Sequence, residues 1–333
     1  MSKRLLVTGG AGYIGSHVTH QLIEAGHSVT VLDNLYSGHR WAVPEKAEFI
    51  EGSVGDVALL DRILGSGKFD GVLHFAAHIE VGESVTNPAK YFRNNTAYSL
   101  ELFSACVRHK VGRLIFSSTA AVYGEPKSQL VSETADLAPV NPYGASKLMS
   151  ERILQSIAEA SSDLKFVILR YFNVAGARID GKIGQATPRA THLIKVASEV
   201  ALGLRDSLSV YGTDYHTPDG TCLRDYIHVE DLSSAHLSAL SYLEEGGASD
   251  IFNVGYGRPF SVNEVIKTLK EVSGTDFKVV NGPRRAGDSS SLAANNEKIK
   301  RVLGWAPKHD DLKLICKTAF AWEKELQRRG GKK

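Results

Sequence analysis

The stretch Leu5-Leu6-Val7-Thr8-Gly9-Gly10-Ala11-Gly12-Tyr13-Ile14-Gly15-Ser16 constrains the fold more than any other part of the chain. An apolar run of strand length passes into glycines at 9, 12 and 15 and then into helical periodicity, which describes a strand, a tight turn and a helix. The three glycines divide the work of making the turn, letting backbone approach a phosphate, and packing the helix on the strand. The helix N-terminus adds unpaired N–H groups and the positive end of its dipole, so the turn is suited to a pyrophosphate. A second apolar run, Ser28-Val29-Thr30-Val31-Leu32, ends in Asp33-Asn34. That is close to the offset of about 20 residues at which an acid takes an adenosine ribose.

Strand-like and helix-like segments alternate up to about residue 175, with strands expected near 4–8, 28–33, 47–50, 70–75, 113–118 and 165–171. Their Val, Ile, Leu and Phe residues show little polar alternation, as in strands buried on both faces. The pattern predicts an α/β fold: a doubly wound parallel sheet of Rossmann type with a second, smaller α/β region. Helical periodicity runs from Ser16 to Ala25 and from Asp56 to Leu64; Asp56, Asn87 and Asn141 stand at N-cap positions, with Pro88 and Pro142 first inside. After residue 175 come a Gly/Asp loop at 176–181, a helical run from Thr191 to Gly203 and a second loop at 212–220. The expected division is residues 1–175 for a dinucleotide and 176–333 for the second substrate, with a segment at about 225–260 returning to the first region.

A net charge of +2 over 333 residues gives no electrostatic case for nucleic acid or an anionic membrane surface. The apolar run at the N-terminus breaks at Thr8-Gly9-Gly10, too soon for a secretory signal, and no run approaches a membrane span. Cys106, Cys222 and Cys316 lie far apart without a Cys-x-x-Cys pair, and the histidines form no ligand pattern. These features predict neither disulfide nor metal and fit a reducing cytoplasm.

The expected strand at 113–118 runs into Ser117-Ser118-Thr119-Ala120-Ala121, bringing hydroxyls to the ligand edge of the sheet. Farther on, Asn141-Pro142-Tyr143-Gly144-Ala145-Ser146-Lys147 puts Tyr143 and Lys147 four apart on one helix face. An ammonium beside a phenol favours the phenolate and would bring it toward use as a base. By spacing alone, a solvated helix carrying an ordinary Tyr and Lys is the better reading, since such pairs are common on helices.

Further segments occur in order along nearly the whole chain: Leu32-Asp33-Asn34, His74-Phe75-Ala76-Ala77, Val81-Gly82-Glu83-Ser84, Leu169-Arg170-Tyr171-Phe172-Asn173, Arg224-Asp225-Tyr226-Ile227-His228-Val229 and Arg284-Arg285-Ala286-Gly287-Asp288. Together with the glycine turn and Tyr143-x-x-x-Lys147, they resemble the extended short-chain dehydrogenases/reductases, and most closely the members that invert C4 of a UDP-hexose. The resemblance implies NAD as cofactor, a UDP-sugar as substrate and a homodimer paired through the helices after Pro88 and Pro142.

Carried over residue by residue, the resemblance implies that Gly9, Gly12, Tyr13, Ile14 and Gly15 hold the cofactor's pyrophosphate. Asp33 and Asn34 would bind the adenosine ribose, with Ser53 and Val54 flanking the adenine. Phe75, Ala76, Ala77 and Asn95 would line the cofactor's path, and Tyr171 and Phe172 its nicotinamide. Thr119 would bond the sugar oxygen being oxidised, Tyr143 would be the base, and Lys147 would bind the nicotinamide ribose. Asn173, Arg224, Arg285 and Asp288 would hold the UDP, with His192 and Leu193 beside it and Leu292 near the sugar. The chain departs from common family usage in having Ser53 where Asp is frequent, Ile79 where some members have Lys, and Leu292 where some have Tyr. Other readings are a UDP-pentose 4-epimerase, a sister dehydratase or decarboxylase, and, from a different class, a non-catalytic NAD-binding sensor.

Overall fold

The computed structural model describes residues 2–188, 190–285 and 289–330. Seven strands form one parallel sheet in the order Asp250–Val254, Lys165–Tyr171, Arg113–Thr119, Gly71–His74, Arg4–Thr8, Ser28–Asp33, Glu48–Glu51. The chain leaves the central strand Arg4–Thr8 toward one edge and then returns to build the other half, a doubly wound topology. Its switch point lies between Arg4–Thr8 and Gly71–His74, at the strand ends where Thr8 and His74 are in register.

Period-two alternation sorts the core onto the two faces of the sheet. Leu5, Val7, Val31, Ile115, Val167 and Leu169 pack on one face with Val18 and Leu22 of the helix Tyr13–Glu24. Leu6, Leu32, Val72, Leu114, Phe116 and Ile168 face the other way, against Leu60 of Val57–Gly65 and Leu102 and Phe103 of Tyr98–Arg108. Each such buried side chain contributes about 1.5–3 kcal/mol by leaving water.

The sequence-predicted strands and helices are present: the strands at 4–8, 28–33 and 165–171 have the expected ends, and the others are shifted by one to three residues at one or both ends. The first helix begins at Tyr13, because its glycine N-cap needs no side chain to start it. The run expected from Thr191 to Gly203 is helical only over Leu193–Ala201. Asp56 and Asn141 cap their helices through Leu59 N–H and Gly144 N–H, whereas Asn87 makes no side-chain cap bond.

The sequence pattern does not predict the second sheet. Leu223–His228 pairs antiparallel with Pro259–Ser261 and parallel with both Ser291–Ala294 and Asn173–Ala175. The last of these begins two residues beyond the large sheet, so this small sheet stands over the ligand edge of the large one. A cluster of Val122, Tyr123, Val131, Leu148, Phe172 and Ala294 fills the seam.

Candidate active site

The glycine turn has the geometry of a phosphate cradle. Gly9 sits at φ 72°, and a Cβ there would lie 2.5 Å from Ala76 N, so the turn and the loop after Gly71–His74 meet backbone to backbone. A Cβ on Gly15 would lie 2.2 Å from the Gly9 carbonyl oxygen, which makes this glycine a requirement of helix packing. Gly12 differs: within 4 Å its Cβ would meet only that same oxygen, at 3.3 Å. The surface above Gly12 is therefore open, and the first-turn N–H groups behind it have no side-chain cap. Asp33, at the end of the neighbouring strand, accepts from Ala11 N–H at 2.9 Å and Leu35 N–H at 2.8 Å. Each carboxylate oxygen keeps a free lone pair for a ribose hydroxyl, and burial pushes this acid above its usual range. Turn, helix terminus and acid together fit a dinucleotide.

Other expected cofactor residues have specific local roles. Tyr13 donates to the Gly176 carbonyl at 2.6 Å, tying the turn to the first loop of the second region, and Ile14 packs into the core. Asn34 is exposed and accepts from Tyr36 N–H. Ser53 accepts from Gly55 N–H, and Val54 is buried beside the Ser28–Asp33 strand. Ala76 and Ala77 follow Phe75, which lies against His236 with ring centroids 4.8 Å apart.

Asn95 lies in a π-helical segment, Phe92–Ala97. Its Oδ1 accepts from His78 N–H at 2.8 Å, and its Nδ2 donates to the His78 carbonyl at 3.0 Å and to Ser146 Oγ at 3.1 Å. This amide couples the loop after Gly71–His74 to the helix Pro142–Ala160 that bears Tyr143 and Lys147.

Sheet register brings the chemical groups together. Thr119 and Tyr171 are paired residues at the ends of adjacent strands. Burial raises the pKa of the Tyr143 phenol, and the Thr119 side chain beside it lowers it. Lys147 is buried beneath, with Nζ donating to the Ser117 carbonyl at 2.7 Å and lying 4.7 Å from the Phe116 ring centroid. Burial pulls its ammonium down to about 7, against the opposing charge of Glu151. Tyr171 shares a hydrogen bond with Ser117 Oγ, and Phe172 is buried in the seam. Here the Lys147 ammonium donates to the Ser117 carbonyl, and the group that lowers the Tyr143 pKa is Thr119.

The small sheet gathers part of the remaining set. Arg224 and Leu292 are register partners, and Asn173 is paired with Tyr226 two residues along the same strand. His192 occupies the N-cap position of Leu193–Ala201 without a side-chain cap bond, its Nδ1 2.9 Å from Gln185 Nε2. Asn173, Gln185, His192, Leu193 and Lys195 line one cavity. Arg285 lies farther out, stacked 3.8 Å over the Tyr211 ring. Asp288 lies outside the described residues. Sequence reasoning passes over Glu151 and Arg170, a buried ion pair directly behind Lys147; the signal for Glu151 is the four-residue spacing 143, 147, 151.

Comparison with known proteins agrees with this geometry. Residues 5–255 match the NAD dependent epimerase/dehydratase family. A UDP-glucose 4-epimerase of Azospirillum brasilense is 53% identical over 330 residues, covering 99% of this chain and 94% of that protein. The structure is similar to that of the UDP-Glc/GlcNAc 4-epimerase from Campylobacter jejuni, with 52% identity, a TM-score of 0.86 and coverage of 97% of this chain and 100% of that one. It is also similar to the UDP-glucose 4-epimerase from Brucella ovis in complex with NAD, with 42% identity, a TM-score of 0.93 and coverage of 96% and 98%.

Proposed function

The chain belongs to the NAD dependent epimerase/dehydratase family, and from that premise we infer that it is a UDP-glucose 4-epimerase, interconverting UDP-galactose and UDP-glucose by inversion at C4. NAD, when bound, supplies the acceptor of the C4 hydride and gives it back to the opposite face of the 4-keto sugar.

The chain's own residues do the rest. We assign Tyr143 as the group that takes the 4-hydroxyl proton and returns it, and Thr119 as the hydroxyl that holds the sugar oxygen against it. Lys147 holds the nicotinamide ribose from below. Gly9, Gly12, Tyr13, Ile14 and Gly15 hold the pyrophosphate; Asp33, Asn34, Ser53 and Val54 take the adenosine; Phe75, Ala76, Ala77, Asn95, Tyr171 and Phe172 line the path to the nicotinamide. Asn173, Arg224, Arg285 and Asp288 clamp the UDP beside His192 and Leu193, since guanidiniums suit a diphosphate and a fixed nucleotide leaves the sugar free to turn over. Residues 1–175 serve the cofactor and 176–333 the UDP-sugar, apart from the stretch returning through Asp250–Val254.

The observation that carries this reading is the gathering of Thr119, Tyr143 and Lys147 at the sheet's ligand edge: Thr119 ends its strand, Tyr143 stands beside it, and buried Lys147, one helical turn on, reaches the Ser117 carbonyl of the same strand. It also weighs against the sensor alternative, which would need none of the three. The same reading has two copies pairing through the helices after Pro88 and Pro142, where Leu100 and Met149 lie exposed. It places the protein in the cytoplasm, consistent with three free, buried cysteines. Among the described residues no helix is long and apolar enough to cross a membrane. The test is incubation of the purified protein with UDP-galactose, UDP-glucose and UDP-pentoses, with products resolved by NMR. Interconversion of the hexoses is expected; turnover of pentoses alone would replace the reading with a pentose 4-epimerase.

A further inference from the structure

On the helix Pro142–Ala160, Glu151 follows Lys147 by one turn and Tyr143 by two, so the three share a face. A buried carboxylate is costly unless it is paired and hydrogen-bonded, and Glu151, 1% exposed, is both. Arg170 grips it with Nη2 at 2.6 Å and Nε at 3.0 Å, and Ser118 Oγ donates to the same group. Ser118 and Arg170 are register partners one residue before Thr119 and Tyr171. The remaining Arg170 nitrogen, Nη1, donates to Tyr123 Oη at 3.1 Å, which in turn donates to Asn253 Oδ1 at 2.7 Å. One carboxylate therefore ties the helix to two strands directly and, through Arg170 and Tyr123, to a third. Apolar ridges permit small rolls of a helix; a bidentate ion pair is directional and does not.

We propose that Glu151 is a positioning residue for proton transfer: clamped by Arg170 and Ser118, it fixes the roll of the helix so that Tyr143 meets Thr119, and its negative charge supports the ammonium of Lys147. This rests on the functional reading above.

The charged and titratable groups from the surrounding elements leave Glu151 as the anion acting on Lys147. His74, from Gly71–His74, is buried and held neutral, its pKa pulled down to about 3 first by burial and then by Lys147. Arg170 is engaged with Glu151 and Tyr123, Tyr123 with Arg170 and Asn253, and Tyr171 with Ser117. Glu83, Lys90 and Tyr91, on Val81–Thr86 and Pro88–Tyr91, bond among themselves, and Arg108 of Tyr98–Arg108 bonds to Asp61. Phe92–Ala97 meets the helix through Asn95 and Thr96, neither of them charged.

Glu151→Gln keeps the side chain's shape and removes its charge. In the full-length protein turning over UDP-galactose, the alkaline limb of the kcat profile is expected to move down by about one pH unit, the lower end of what a nearby opposite charge provides. That corresponds to about a tenfold loss on the alkaline side, with KM for the sugar nucleotide unchanged. Glu151→Asp, which restores the charge, should bring the limb back. An unmoved limb in Glu151→Gln overturns the proposal whatever happens to Tm, since a merely structural role lowers Tm and leaves the profile in place. Should Glu151→Gln fail to fold, Ser118→Ala takes its place by removing a single bond to the carboxylate; a smaller shift in the same direction supports the proposal, and no shift overturns it. Absence of turnover in the unmodified protein would overturn the functional reading instead, so the two failures are told apart.

Discussion

Lys147 Nζ donates to the Ser117 carbonyl oxygen at 2.7 Å, which anchors the ammonium to the end of a strand rather than to the phenol one turn before it. Two groups with distinct duties result. Thr119 stands beside Tyr143 and lowers its pKa, and Lys147 is a buried ammonium held by the Ser117 carbonyl.

Tyr143→Phe should lower kcat by at least the ~10²-fold typical of losing a general base, with UDP affinity unchanged by calorimetry. Thr119→Val removes the hydroxyl that lowers the phenol's pKa. The acidic limb of the kcat profile should therefore move to higher pH. Near-normal turnover by Tyr143→Phe would take the base role away from it.

Burying Lys147 should cost the cofactor-free protein stability. Burial pulls its pKa from 10.5 down to about 7, so between those values the unfolded chain binds a proton that the folded chain does not. Stability then rises with pH across that window. Lys147→Met should consequently be more stable than the unmodified protein, with the gain largest below pH 7 and shrinking toward pH 10.5. Thermal melts over a pH series read this directly, and a gain constant with pH would show that the charge is not its source.

Gly12→Ala and Gly15→Ala should separate cofactor from fold. The Gly15 methyl would drive into the Gly9 carbonyl at 2.2 Å, a backbone clash expected to cost about 1–3 kcal/mol of stability in any state. The Gly12 methyl meets one atom at 3.3 Å and otherwise fills the open surface. That variant should melt close to the parent when cofactor-free but lose nucleotide on gel filtration. The nucleotide released from denatured parent protein should be NAD, because Asp33 would repel a 2′-phosphate.

These contrasts show which parts of the site sequence could supply. The large sheet was legible because each strand is a short apolar run buried on both faces, and the glycine turn because its spacing has few other uses. The small sheet was not: Asn173–Ala175, Leu223–His228 and Ser291–Ala294 are short, lie far apart along the chain and join only through tertiary contacts. The π-helical turn at Phe92–Ala97 leaves no compositional mark. Glu151 reads from sequence as one more acid on a solvated helix face, and only the position of Arg170 makes it a buried anchor.

Leu292 is expected to set the room available to the sugar. It is partly buried, packs on the Phe172 and Val122 cluster and is paired in register with Arg224. A side chain shorter than Tyr leaves space for a 2-acetamido group, so slow turnover of UDP-N-acetylglucosamine is expected. Leu292→Tyr should abolish that activity while hexose turnover persists. Equal loss of both would mean that the residue does not discriminate at the 2-position.

Label retention decides between inversion and its sister reactions. All of them begin by oxidising C4, and their paths diverge according to the acids around the ketone. Dehydratases resembling this chain carry an Asp-Glu pair directly after the catalytic Thr, and decarboxylases a Glu at the second of those positions; there the carboxyls can move protons. Here Thr119 is followed by Ala120 and Ala121, and its Oγ1 accepts from the Ala121 N–H at 3.1 Å, so backbone and methyl groups occupy that place. Without a carboxyl there, elimination lacks its acid and base, whereas return of hydride needs only that the sugar turn over. UDP-galactose deuterated at C4 should give UDP-glucose with the deuterium still on C4 and no lasting NADH absorbance. A 4-keto-6-deoxy product, or deuterium lost to solvent, would assign the protein to elimination chemistry instead.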